Sequence, residues 1–192
     1  MNAHRKVWSI PNILTLMRVL ITPVIVTTFY FDDTAIAHRI AFALFLFASI
    51  TDFLDGFLAR RFRVQSNLGR IFDPIADKLM VGSVLLMMVY FHRVNVIPCL
   101  LILGREFAVS GLREFLALLQ VGVPVSKIAK WKTAVQMTSI SLILLGSKGS
   151  GWKFVDYLGD FAIWATSLLT LATGYSYLTA AIEFVHEKDQ SK

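Results

Sequence analysis

Cysteine is close to absent. The 192 residues hold one, Cys99, which excludes an intrachain disulfide and a thiolate metal cluster. Histidine is nearly as scarce: His4, His38, His92 and His186 stand far apart, with no short ligand spacing between any two. Charge is thin as well, 17% of residues against about 25% in soluble domains. The 56% hydrophobic share and a mean hydropathy of +0.63 exceed what one small core can bury, which argues against a water-soluble fold and excludes intrinsic disorder. What charge there is leans positive, with 19 Lys and Arg against 13 Asp and Glu. Such a surplus fits nucleic acid, an anionic membrane surface or a phosphorylated substrate. The apolar bulk removes nucleic acid from that set.

Apolar runs of about 20 residues, the length a helix needs to cross a bilayer, recur along the chain. Residues 161–182 contain no charge, and 10–31 contain only Arg18. Four more runs carry their charges mostly near one end: 39–60 with Asp52 and Asp55, 71–91 with Asp73, Asp77 and Lys78, 94–113 with Arg105 and Glu106, and 127–146, apolar from Thr133 onward. The reading is an all-α integral membrane protein of six transmembrane helices; the alternative is four spans with two soluble helices. Polar connections at 31–38, 92–95 and 147–160 separate the runs, with Asp32-Asp33 and Gly149-Ser150-Gly151 as breakers. Lys and Arg in loops and tails divide twelve to four between the two sides, which places both termini in the cytosol. The first run is too long for a signal peptide and lacks a small-x-small cleavage site. The expected organisation is an interfacial segment 1–9, a six-helix transmembrane catalytic domain 10–185 and a cytosolic tail 186–192.

Ionisable groups at membrane depth are costly and point to function. Asp52 and Asp55 lie three apart near the cytosolic end of helix 2, and Gly56 and Ala59 continue their face. Asp73 and Asp77 lie four apart at the cytosolic start of helix 3, one turn after Gly69. The short loop between these helices makes them antiparallel neighbours, so four carboxylates are expected at one depth. Like charges cannot share a dry site without holding protons, and two divalent cations resolve the conflict. Ligation by carboxylate alone suits Mg²⁺ or Mn²⁺. Helix capping or pairing with Arg60, Arg61 and Arg70 is the alternative for any single aspartate. Metals beside arginines make a site for phosphoryl or pyrophosphate chemistry.

Asp52-Phe-Leu-Asp55-Gly56-Phe-Leu-Ala59-Arg60, eight further residues, then Gly69-Arg-Ile-Phe-Asp73-Pro-Ile-Ala-Asp77 resembles the signature of the CDP-alcohol phosphotransferases. The resemblance implies six transmembrane helices, a homodimer, and a cytosol-facing site with two divalent cations, Mg²⁺ or Mn²⁺. It implies that Asp52, Asp55, Asp73 and Asp77 ligate metal and that Asp77 is also the general base. It assigns Asn12, Thr15, Asp52, Gly56, Ala59, Arg60, Ser66 and Gly69 to the CDP-lipid. From spacing alone Gly56 and Gly69 serve helix packing equally well, and Arg60 could be a flanking charge.

Three segments bear on the acceptor. Residues 11–18, Pro-Asn-Ile-Leu-Thr-Leu-Met-Arg, resemble the start of the family's glycerol-phosphate branch. Arg18, inside the first run, needs an anionic partner or must snorkel to the cytosolic surface. Arg105-Glu106-Phe107, Arg113-Glu114-Phe115 and the stretch Lys127 to Met137 look like the same branch. Arg105, Arg113, Lys130 and Lys132 together suit an acceptor that carries its own phosphate. The resemblance implies transfer of phosphatidyl from CDP-diacylglycerol to sn-glycerol 3-phosphate in a bacterial inner membrane, among membrane lipids and without nucleic acid. Inositol phosphate or phosphatidylglycerol as acceptor is the nearest alternative. A membrane prenyltransferase, which also uses two aspartate-rich helices, is more distant; a cation path would need polar groups across the whole thickness.

Overall fold

The structure, a computed structural model, describes residues 10–31, 33–62, 67–118 and 127–190. They form six helices: α1 (Ile10–Thr28), α2 (Ala35–Phe62), α3 (Asn67–Tyr90), α4 (Val96–Leu118), α5 (Lys127–Ser150) and α6 (Phe154–Gln190). No strand occurs among the described residues. The segment 1–9, expected to be interfacial, lies outside them. The helices close a circuit in which α1 packs on α2, α2 on α5, α5 on α6, α6 on α4, α4 on α3 and α3 on α1. Their shared core is apolar, with Phe45, Met80, Leu85, Met88, Ile102, Ile140 and Leu144 fully buried.

Two expectations need correction. Among the described residues α2 and α3 share few contacts despite the short loop between them; α1 packs against both and carries the polar side chains Thr15, Arg18 and Thr22 into the bundle. The expected connection 147–160 is also mostly helical. α5 runs to Ser150 and α6 starts at Phe154, so the turn itself is short and centres on Gly151, whose φ of 82° only glycine adopts readily. The break at Gly146 (φ 53°, ψ −175°) is a kink inside α5 instead. There the Leu144 carbonyl lies 2.9 Å from His38 Nδ1. Helices overrun the apolar runs generally because a run ends at the first charge, whereas a helix ends only at a breaker.

Of the described helices, α2 over Ala35–Leu54 is long and apolar enough to cross a membrane by composition alone, and Ile13–Thr28 of α1 is apolar but shorter. The charge-free stretch 161–182 of α6 falls short because hydroxyl residues dilute it. Those hydroxyls are answered within the helix: Thr166 donates to the Ala162 carbonyl at 2.8 Å, Ser167 to Trp164 at 2.8 Å and Ser176 to Ala172 at 3.0 Å. Backbone-bonded hydroxyls cost much less in hydrocarbon than free ones. Every helix leaves a large apolar residue more than half exposed, including Leu20, Phe53, Leu86, Leu100, Trp131 and Leu168.

At the end of the bundle where α1 meets α2, α3 meets α4 and α5 meets α6, ion pairs tie the turns together. Asp33 accepts from Lys148, from His38 Nε2 at 2.7 Å and from Arg93 at 3.4 Å. α3 ends in a Schellman motif, with Arg93 N–H on the Met88 carbonyl at 2.8 Å and His92 in the left-handed region at φ 54°. A cavity of about 430 Å³ opens here between Tyr30, Phe91, Arg93 and Lys148. Asp33, His38, Arg93 and Lys148 in its wall pair with one another, which makes it a structural junction.

Candidate active site

The opposite end of the bundle gathers the remaining charges. Arg18 of α1 is completely buried; its Nη1 donates to Asp52 of α2 and its Nη2 stands 3.6 Å from Asp73 of α3. Thr15, one turn earlier, donates its hydroxyl to Asp73. The anionic partner that Arg18 needs is therefore the aspartate pair, and α1 joins the two acidic helices. Thr22, one turn further on, donates to the Arg18 carbonyl at 2.8 Å. Pro74, directly after Asp73, has no N–H for the helical ladder and loosens α3 where its carboxylates project.

Asp77 lies one turn deeper on α3. Its Oδ1 is buried and has no hydrogen-bond partner among the described residues. It borders a small cavity of about 40 Å³ with Lys78, Glu106, Lys132 and Gln136. Lys78 is drawn aside onto the Ser110 hydroxyl of α4. Lys132, 5% exposed, donates to Glu106, and Arg105 Nη1 stands 3.7 Å from the same carboxylate. Arg105 Nη2 also donates to Thr173 of α6 at 3.2 Å. Its side chain lies flat on α6 because residue 174 is glycine: a Cβ there would come within 2.8 Å of Arg105 Cγ. Arg113, two turns along α4, sits 5.5 Å from the Tyr177 ring centroid.

Of the residues expected at the site, the structure brings Thr15, Asp52 and Asp73 together around Arg18, and Asp77, Arg105 and Lys132 around the small cavity and its rim. The side chains of Asn12, Asp55, Arg60 and Lys130, with Gly56, Ala59 and Gly69, lie outside the described residues, although their helices are described; Ser66 lies outside altogether. Sequence reasoning missed Glu106 as the shared counter-ion, Thr173 and Gly174 as the bed for Arg105, and Gln136 as a cavity residue. Glu106 and Gln136 were visible inside the motifs that carry Arg105 and Lys132, but without a partner helix nothing separated them from packing residues.

Among the described residues no three acidic or imidazole side chains stand together at metal-ligand spacing. The donor set still fits a hard divalent ion. It offers oxygen donors without sulfur or imidazole, one oxygen of Asp77 lacks a partner, and among the described residues the carboxylates of Asp52 and Asp73 outnumber the single guanidinium of Arg18 that pairs with both. Across the cavity the balance reverses, since Arg105 and Lys132 share the one carboxylate of Glu106. A negatively charged half and a positively charged half thus meet at Asp77 and Lys132, an arrangement able to hold a metal-bridged diphosphate on one side and a phosphate dianion on the other.

A family model described as CDP-alcohol phosphatidyltransferase matches residues 8–178. A protein of Rickettsia felis called CDP-diacylglycerol–glycerol-3-phosphate 3-phosphatidyltransferase is 49% identical over 92% of this chain and 97% of its own length. A Rickettsia typhi protein of the same name is 51% identical over 90% of this chain and 96% of its own, and one from Cereibacter sphaeroides 34% over 94% and 99%. With its model covering most of the length and relatives at this identity end to end, the chain belongs to the CDP-alcohol phosphatidyltransferase family.

Proposed function

We propose that this protein transfers the phosphatidyl group of CDP-diacylglycerol to sn-glycerol 3-phosphate, giving phosphatidylglycerophosphate and CMP in phospholipid biosynthesis. The observation that carries the reading is the charge-split site: carboxylates in excess around Arg18, cations in excess around Glu106, and Asp77 between them. Asp52, Asp55, Asp73 and Asp77 would hold two divalent cations, Mg²⁺ or Mn²⁺. When bound, these neutralise charge on the diphosphate and make its phosphorus a better electrophile. Arg18 and Thr15 fix the orientation of Asp52 and Asp73 before any ligand arrives, so little reorganisation is needed during reaction.

Asp77 takes the proton of the acceptor hydroxyl as that oxygen attacks the phosphorus bearing diacylglycerol. The bond from that phosphorus to the bridging oxygen breaks, and CMP leaves with the oxygen. Arg105, Arg113, Lys130 and Lys132 hold the acceptor's phosphate; Asn12, Gly56, Ala59, Arg60, Ser66 and Gly69 serve the nucleotide side. An apolar cavity of about 310 Å³ lined by Val19, Pro23, Val26 and Leu79 opens between α1 and α3 directly deeper than Arg18 and Asp73, and suits an acyl chain.

The same reading sets all six helices across the bacterial cytoplasmic membrane, with the site and both termini in the cytosol and the chain in a homodimer. The exposed apolar side chains on every helix support the first part, since soluble monomers rarely expose so much. At the end away from the site, exposed Tyr30, Phe31, Tyr90, Trp152 and Tyr157 form the aromatic belt of a membrane interface. The test is turnover by purified protein in lipid nanodiscs, offered CDP-diacylglycerol with glycerol 3-phosphate, inositol phosphate or phosphatidylglycerol. Release of CMP with glycerol 3-phosphate alone supports the proposal; turnover with another acceptor and not this one overturns it.

A further inference from the structure

Gln136 sits on α5 one turn after Lys132, so both side chains leave the helix on one face. Both are almost fully buried, at 4% and 5% exposure. Lys132 is answered by Glu106. Gln136 Oε1 is not: it is buried and has no hydrogen-bond partner among the described residues. It borders the same small cavity as Asp77, whose Oδ1 is likewise buried and unpartnered. Two hydrogen-bond acceptors from two helices, α3 and α5, therefore face one space of about 40 Å³. Buried polar atoms without partners are rare in folded proteins, and an amide oxygen kept that way beside a carboxylate calls for donors from outside the chain.

Glycerol 3-phosphate supplies such donors. It carries two hydroxyls on adjacent carbons, one that reacts and one that does not, and then a phosphate. If the reacting hydroxyl is at Asp77 and the phosphate at the Arg105–Lys132 side, the middle hydroxyl has to lie between them, in the region Gln136 borders.

We propose that Gln136 is a specificity-determining residue that accepts a hydrogen bond from the non-reacting hydroxyl of the acceptor, so that the site selects a phosphorylated vicinal diol over a simple phosphorylated alcohol. This rests on the acceptor reading above. A site that hydrogen-bonds a substrate hydroxyl rejects the analogue lacking it, because its own polar group is then left buried and unpaired. A water molecule bridging Gln136 to Asp77 would satisfy both oxygens with no role in selection.

The experiment compares glycerol 3-phosphate with 3-hydroxypropyl phosphate, which lacks only the middle hydroxyl, in the full-length protein and its Gln136→Leu variant in nanodiscs. The wild type should prefer glycerol 3-phosphate by at least about tenfold in kcat/KM, the worth of one buried hydrogen bond. Gln136→Leu should cut that preference below about threefold by losing rate on glycerol 3-phosphate alone, with the KM for CDP-diacylglycerol unchanged. Equal losses on both acceptors would make Gln136 a structural residue and overturn the proposal. So would a wild type that uses both acceptors equally well, a result that needs no variant to fold. A wild type inert towards glycerol 3-phosphate but active with another acceptor would instead overturn the acceptor reading and this inference with it.

Discussion

Replacing Arg18 by Met tests the centre of the site without assaying activity. Arg18 is wholly buried and answers Asp52 and Asp73, whose side chains keep 32% and 41% of their surface in solvent. Removing one partner of a fully buried ion pair costs about 3–5 kcal/mol. Here the two carboxylates can recover part of their hydration, so we expect a loss of about 2–3 kcal/mol. Methionine fills most of the arginine stem, which keeps the cavity contribution small. In a chain of this length each kcal/mol moves the midpoint by about 2–4 °C, so thermal unfolding in detergent with EDTA should fall by roughly 5–10 °C. Adding millimolar Mg²⁺ should then raise the variant's midpoint more than the wild type's, because carboxylates stripped of their guanidinium bind a dication more tightly and binding to the folded state alone stabilises it. A variant that melts with the wild type in EDTA would show that Arg18 is not neutralising those acids. A variant no more responsive to Mg²⁺ than the wild type would remove the dication from that position.

Asp77→Asn should lower kcat by about 10²–10⁴-fold, the usual worth of a general base, while equilibrium binding of CDP-diacylglycerol survives; normal turnover would refute the base assignment. Arg105→Ala should raise the KM for glycerol 3-phosphate by about 10–100-fold and leave that for CDP-diacylglycerol nearly unmoved. Gly174→Val should act in the same direction by lifting Arg105 off Thr173, and equal effects on both substrates would argue against a separate acceptor pocket. Exhaustive chelation should abolish turnover and Mg²⁺ or Mn²⁺ restore it; full activity in chelator would end the metal reading. Gly146→Ala, at φ 53° and close against Asp156 and His38, should cost about 1–3 kcal/mol in unfolding assays without changing turnover per folded molecule.

The aspartates stood out in the sequence because, at intervals of three and four inside apolar runs, they are costly unless a partner or a ligand answers them; among the described residues Asp52 and Asp73 meet at Arg18, while the side chain of Asp55 lies outside them. The sequence made six helices legible because each apolar run was long. What it could not supply was which helix stands beside which. The short α2–α3 loop suggested direct packing, and α1 proved to stand against both, which is why Arg18 appeared only as a charge in need of a partner. The turn near residue 150 was legible as a glycine-rich breaker, but not that Gly146 kinks α5 while Gly151 reverses the chain. Both are glycines in one polar stretch, and φ/ψ separates them where composition does not. Glu106 was read together with Arg105 as motif, and only the approach of Lys132 from α5 shows that one carboxylate serves two cations.

That sharing explains why the site can exist at this depth before any ligand arrives. Isolated charges in a helix bundle shed or take up protons, or the bundle opens to hydrate them. Arg18, clamped by two carboxylates, keeps the acidic half from carrying its full negative charge, and Glu106 does the same for the cationic half. Each half is left with a residual charge small enough for a bundle end to tolerate and large enough to favour a ligand of opposite sign. Had Arg18 been apolar, the two carboxylates would depend on hydration or a dication alone, and had Glu106 been apolar, Arg105 and Lys132 would stand together with no carboxylate between them. The two residues that neutralise the site are therefore as necessary to its chemistry as those that perform it.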